Sequence, residues 1–216
     1  MLRLISFVLL FHTLSLYKAQ DLVLSDYIPG NGLVFASSDD NYKTTLRGYT
    51  QSLFETKSML FDSSEIYNSE RKNRFRARRV RFRLSGNQLS PGFSYRFQVD
   101  LAQSNAGDGE LSGTLLDAWV GYNFNKKLKI IIGQKATPTD NMELQMASNS
   151  LQLPERSRLT SAFSSIREVG VFLDGKFKLG EAVIKPMINI TNGDGANTIS
   201  NDFGGFKYGA RVNILP

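Results

Sequence analysis

Three arginines stand two residues apart in the run RFRARRVRFRLS at residues 74–85: Arg79, Arg81 and Arg83. A β-strand repeats its faces every two residues, so these three share one face while Val80, Phe82 and Leu84 share the other. A guanidinium is always charged and offers five N–H donors in a planar fork that fits phosphate and carboxylate oxygens. A ladder of such groups gathers anions and hydrogen-bonds them; it does not shuttle protons. Lys129, Lys135, Lys185, Lys207 and Arg211 fall in the polar phase of other segments and would add to the ladder. For any one of these cations the alternative is structural: pairing with Asp100, Asp117 or Glu168 only to hold a wall together.

Covalent chemistry is poorly supplied. The 216 residues contain no Cys and one His, His12. Disulfides, thiol nucleophiles and Cys-ligated metals are therefore excluded, and no catalytic residue, metal ligand or cofactor site is expected. Paired carboxylates or a Ser–Lys dyad stay formally open, which leaves a hydrolase as a distant reading. Asn192-Gly193-Asp194-Gly195 looks like part of a calcium loop, but the later bidentate Glu is absent, so it reads as a turn. The net charge is +6, yet the cations are spread over alternating strand positions rather than clustered. That argues against nucleic acid.

Residues 1–19 have the layout of a secretory signal peptide: Arg3, an apolar stretch from Leu4 to Leu16, and Ala19 before Gln20. The other reading is a buried N-terminal helix. Removing the leader takes away His12, Arg3 and Lys18, and the charge falls from +6 to +4. Residues 20–216 then form one β domain.

The elements that must position the cations are strands. Phe93, Tyr95, Phe97, Val99 and Leu101 alternate with Ser94, Arg96, Gln98 and Asp100. Leu116, Ala118, Val120, Tyr122 and Phe124 alternate with Asp117, Trp119, Gly121 and Asn123. Phe206, Tyr208, Ala210, Val212 and Ile214 alternate with Lys207, Gly209, Arg211 and Asn213. Further strands are expected near 42–56, 74–84, 128–136, 166–174 and 181–191, about eight in all. The best helical candidate is Asp140–Ser150, inside a loop.

The connections alternate between long (57–73, the Gly/Asp/Asn-rich segment after 102, 137–165) and short (85–92, Asn125–Lys127, a turn at Asp174-Gly175). Antiparallel outer-membrane barrels follow that rule; soluble sandwiches have no reason to. Ten residues rise about 33 Å, and a 45° tilt projects this to about 23 Å, close to the apolar band of such a barrel. In that setting three arginines facing lipid would cost roughly 6–12 kcal/mol, comparable with the whole stability of a domain, so they must face the lumen. The same phasing sends Arg76 and Arg78 to the outer face at the loop end. Aromatic residues near strand ends would form interfacial girdles.

An ordered series of short segments resembles the phosphate-selective porin O and P family. It comprises Leu46-Arg47-Gly48, Arg78-Arg79-Val80-Arg81-Phe82 with Gly86, Tyr95–Asp100, and Leu116-Asp117-Ala118-Trp119-Val120-Gly121-Tyr122. It continues with Gly133-Gln134-Lys135 and Pro138, Pro154–Ser157, Arg167–Val171 and Asn192-Gly193. The resemblance covers about residues 32–216. It implies a sixteen-stranded, all-β, antiparallel transmembrane barrel, a homotrimer in the lipid of a Gram-negative outer membrane. Such a barrel would pass inorganic phosphate, polyphosphate or other small anions, with a long loop, here 137–165, folded into the pore. Pro138-Thr139 stands where the family more usually has Pro-Phe. The chain ends within a strand pattern at Asn213–Pro216, so the resemblance leads one to expect the N-terminal half of such a barrel. Two rivals are a small closed eight-stranded barrel with a structural or adhesive role and a secreted soluble β-sandwich.

Overall fold

The computed structural model describes residues 22–59, 70–89, 92–102, 114–137, 139, 146–151, 167–197 and 204–216. The leader at 1–19 and most of the Asp140–Ser150 helical candidate lie outside them; within that candidate, Ser148–Ser150 form a single 3-10 turn. The strands are β1 (Leu22–Ile28), β2 (Gly32–Ser37), β3 (Tyr42–Met59), β4 (Glu70–Gln88), β5 (Phe93–Asp100) and β6 (Thr114–Asn123). They continue with β7 (Leu128–Ala136), β8 (Arg167–Gly175), β9 (Phe177–Leu179), β10 (Ala182–Thr191) and β11 (Lys207–Leu215).

All eleven belong to one antiparallel sheet, in the order β1-β2-β3-β4-β5-β6-β7-β8-β10-β11, with β9 paired to β10. The eight expected strands are all present. Three more were missed: the three-residue β9 and the hairpin β1–β2, whose Pro29-Gly30-Asn31 turn separates two short apolar runs. The turn expected at Asp174-Gly175 is instead strand, because Gly175 pairs with Leu128 and the chain reverses at Gly180-Glu181. Among the described residues no pairing joins β1 to β11.

The connections at one end of the sheet are short, four residues at 38–41, 89–92 and 124–127 and two at 180–181, while those at the other run over 60–69, 101–113, 137–166 and 192–206. The three-residue β1–β2 turn is the exception at the long end. At the short end Asn125 shows why a tight turn forms: its side-chain oxygen accepts from the N–H of Lys127 (2.7 Å) and Leu128 (3.0 Å).

The two faces are inverted relative to a soluble protein. Phe82, Phe97, Val120, Ile132, Ile188, Val212 and Ile214 are exposed, whereas Gln98, Asp117, Glu168, Asn189 and Thr191 are buried. A sandwich would need a second sheet over the apolar face, and the described strands form only one. A continuous exposed apolar face of this size is what lipid, not water, accommodates. Near the short end, Tyr42, Phe93, Tyr95, Tyr122 and Phe124 gather on the apolar face, and the Tyr95 hydroxyl meets those of Tyr42 (2.7 Å) and Thr44 (2.8 Å). Gly86 makes this possible. It lies between Thr44 and Tyr95 in the register, and a Cβ there would stand 2.6 Å from the Tyr95 ring.

Two bulges correct the simple alternation. Gln51 pairs with Arg79 but Ser52 pairs with Ala77, so Arg78 is an extra residue. Everything before it changes phase: Arg74 and Arg76 turn to the polar face, where Glu55 bonds both, and Phe75 turns to the apolar face against Phe54. The expected outward placement of Arg76 is therefore wrong, and the reason is the single unpaired residue. Likewise Gln98 pairs with Asp117 and Val99 with Leu115, leaving Leu116 as the bulge and Leu115 as the outward residue. Gln134 donates to the carbonyls of Leu115 (2.8 Å) and Leu116 (3.1 Å), which gives partners to backbone groups the bulge disturbs.

Candidate functional site

The register places all eight predicted cations on the polar face. Arg83, Arg81 and Arg79 lie opposite Arg47, Tyr49 and Gln51 of β3, and Arg83 and Arg81 lie opposite Gln98 and Asp100 of β5. Across the sheet the same face carries Asp117, Lys129, Asp174, Met187 and Arg211. Lys135 lies opposite Glu168, Lys185 opposite Asn213, and Lys207 opposite Thr191.

They are held in different ways. Arg79 is buried and donates to the Gln51 side-chain oxygen at 2.5 Å. Arg81 is the most tightly framed: Nε donates to Asp100 at 2.6 Å, and Nη1 reaches the hydroxyls of Tyr49 (3.2 Å) and Ser148. Asp100 is fixed in turn by the backbone N–H groups of Val80 (3.2 Å) and Ala102 (3.1 Å), so the carboxylate is a built part of the wall. Arg83 makes one hydrogen bond among the described residues, to Gln98 at 2.6 Å. Most of its five donors therefore remain for solvent or a ligand.

Lys135 is placed 3.3 Å from Asp174, and Lys207 is 3.1 Å from Glu168. Glu168 has no exposed surface and also accepts from Thr191 and from the Gly193 N–H at 3.0 Å. Both lysines are thus held in ion pairs with acids of the same face. Sequence reasoning passed over further cations of the same phase, Arg47 and Arg96 among them. Arg47 opposes Arg83 and is bound by the carbonyl (2.7 Å) and side chain (2.6 Å) of Asn31. Arg96 opposes Trp119. The alternation that revealed the others contains both.

Described residues of the segment after β7 lie across this face. Thr139 donates to the Asn189 side-chain oxygen at 2.6 Å, and Ser148 contacts Tyr49 at 3.1 Å. The connection therefore touches β10 at one point and β3 and β4 at another. Beside Asn149 lies an open cavity of about 410 Å³, lined by Arg47, Tyr49, Arg81, Arg83 and Gln98 and also by Tyr27, Leu33, Leu46 and Phe82. Its polar groups are three guanidiniums, two phenols and two amides, set beside apolar side chains.

The family model of phosphate-selective porin O and P matches residues 61–205, more than half of the chain. The chain belongs to this family. No curated protein matches it. In this porin the match takes in β4 through β10, and with them the arginine ladder and the crossing segment. Porins are channels rather than an enzyme class, and the described residues of the site supply fixed charges and hydroxyls.

Proposed function

We propose that the polar face of this porin lines a water-filled, passive passage for small anions, inorganic phosphate among them, across a Gram-negative outer membrane. The apolar face meets lipid, and the chain assembles as the homotrimer its family resemblance implies. Residues 1–19 are the cleaved export leader.

One observation carries the anion preference. The polar-face carboxylates Glu55, Asp100, Asp117, Glu168 and Asp174 each lie within 4.0 Å of a cation. Among the described residues Arg47, Arg83, Lys129 and Lys185 have no carboxylate at that distance. The face thus keeps a cationic excess after its internal pairs are formed. An entering anion exchanges part of its hydration for guanidinium donors and the hydroxyls of Tyr49 and Ser148. Asp100 beside Arg81 limits how tightly it is held, and a channel needs that release.

The test uses planar bilayers and the full-length protein carrying Arg47→Glu with Arg83→Glu. Anion-over-cation permeability falls below that of the wild type by about tenfold or more, since two positive charges become negative beside the same cavity. Unchanged selectivity in a folded, heat-modifiable barrel would overturn the role given to the ladder.

A further inference from the structure

Trp119 is the single tryptophan of the sequence and stands on the polar face, among groups that the ladder does not use. Two cations lie over its ring: Arg96, with its guanidinium carbon 5.3 Å from the centroid, and Lys129, with Nζ at 4.7 Å. The two come from different strands, β5 and β7. Lys129 is in register with Asn123, four residues along β6 from Trp119, so its side chain must run along the wall to reach the ring. Gly121 clears that route: a Cβ there would stand 2.8 Å from Lys129 Cε and 3.1 Å from Ser94 Oγ.

The nearby charges do not neutralise the pair. Asp117 is engaged by Arg167 at 3.0 Å and reaches Arg96 only at 4.0 Å. Asp174 is engaged by Lys135 at 3.3 Å. Four cations thus surround two carboxylates, and the surplus lies on Arg96 and Lys129. Arg96 Nε is buried and finds no acceptor among the described residues. Two like charges near one ring repel, and the ring's negative face offsets only part of that repulsion. An anion between the two heads would complete the balance.

We propose that Trp119 is a positioning residue. It holds Arg96 and Lys129 as a second cationic station, toward the short-turn end of the sheet from Arg83, where an anion leaving the ladder is held before release. This rests on the anion-channel reading. It requires that the ring, and not only the cations, set the affinity, because without it the two flexible side chains spread apart.

The experiment takes the full-length porin in bilayers and measures inhibition of chloride current by inorganic phosphate in wild type, Trp119→Phe, Trp119→Leu and Gly121→Val. Phosphate inhibition weakens several-fold in Trp119→Leu and less in Trp119→Phe, which keeps a ring with a weaker negative face. Gly121→Val, which displaces Lys129 without touching the ring, also weakens it. In wild type, the part of the emission absent from Trp119→Phe changes as phosphate is added. A wild-type channel that does not prefer anions overturns the channel reading and the station together. An anion-preferring wild type matched in phosphate inhibition by folded Trp119→Leu, with no phosphate-dependent Trp119 emission, overturns the station alone.

Discussion

Arg83 on β4 and Lys207 on β11 occupy the same polar phase of one sheet, yet their partners differ in kind. Arg83 leans on a neutral amide, Gln98, beside an open cavity. Lys207 is bound to Glu168, a carboxylate with no exposed surface that also ties down Thr191 and Gly193. The difference separates two uses of a cation in a porin wall. Arg83 keeps its charge without a carboxylate partner among the described residues; the charge of Lys207 joins strands and fixes the connection after β10.

The strongest way to break this comparison is to remove the buried acid. Glu168→Ala removes the acceptor shared by Thr191, the Gly193 N–H and Lys207, and hydrogen bonds to a charged group contribute about 1.5–3 kcal/mol. We expect a loss of about 2–3 kcal/mol in urea unfolding from lipid vesicles. Gln98→Ala, which removes one neutral acceptor from Arg83, should lower stability by about 1 kcal/mol. Equal losses would mean that the two sides are held alike.

Next in size is the effect on selectivity. Arg83→Gln should lower anion-over-cation permeability by about three- to tenfold, whereas Lys207→Gln should change it less than about twofold, because Glu168 already cancels that charge. Reversal potentials in a salt gradient measure both. A Lys207→Gln effect as large as that of Arg83→Gln would dissolve the distinction.

Alternation alone placed all eight cations on one face, because strand side chains repeat every two residues whatever the fold around them. It could not tell a cation with a carboxylate partner from one without. The partners Gln98, Asp174 and Glu168 lie 15 to 39 residues away in the chain, and only the register brings them near. The β1–β2 hairpin escaped notice because each of its strands is short, although Pro29-Gly30-Asn31 is a readable turn between apolar runs. The bulges at Arg78 and Leu116 were invisible for a different reason. An extra residue in one strand is defined by the count in its neighbour, so Arg78 is surplus only once Gln51 and Ser52 are seen to face Arg79 and Ala77.

That bulge supplies the smallest and most local test. Deleting Arg78 removes the extra residue and joins Ala77 directly to Arg79, the two still opposite Ser52 and Gln51. Regular alternation then keeps Arg74 and Arg76 on the polar face with Glu55, and Phe75 against Phe54. Arg74 is already more than half exposed in its pair, so that ion pair adds little. We expect stability in urea to change by less than about 1 kcal/mol. Arg76→Leu should cost stability both in the deletion background and in the wild type, since in each it puts an apolar group beside Glu55. The same sign in the two backgrounds would show that pairing with β3 sets which side of the wall these arginines occupy; opposite signs would mean that the rim of β4 changes phase when Arg78 is lost.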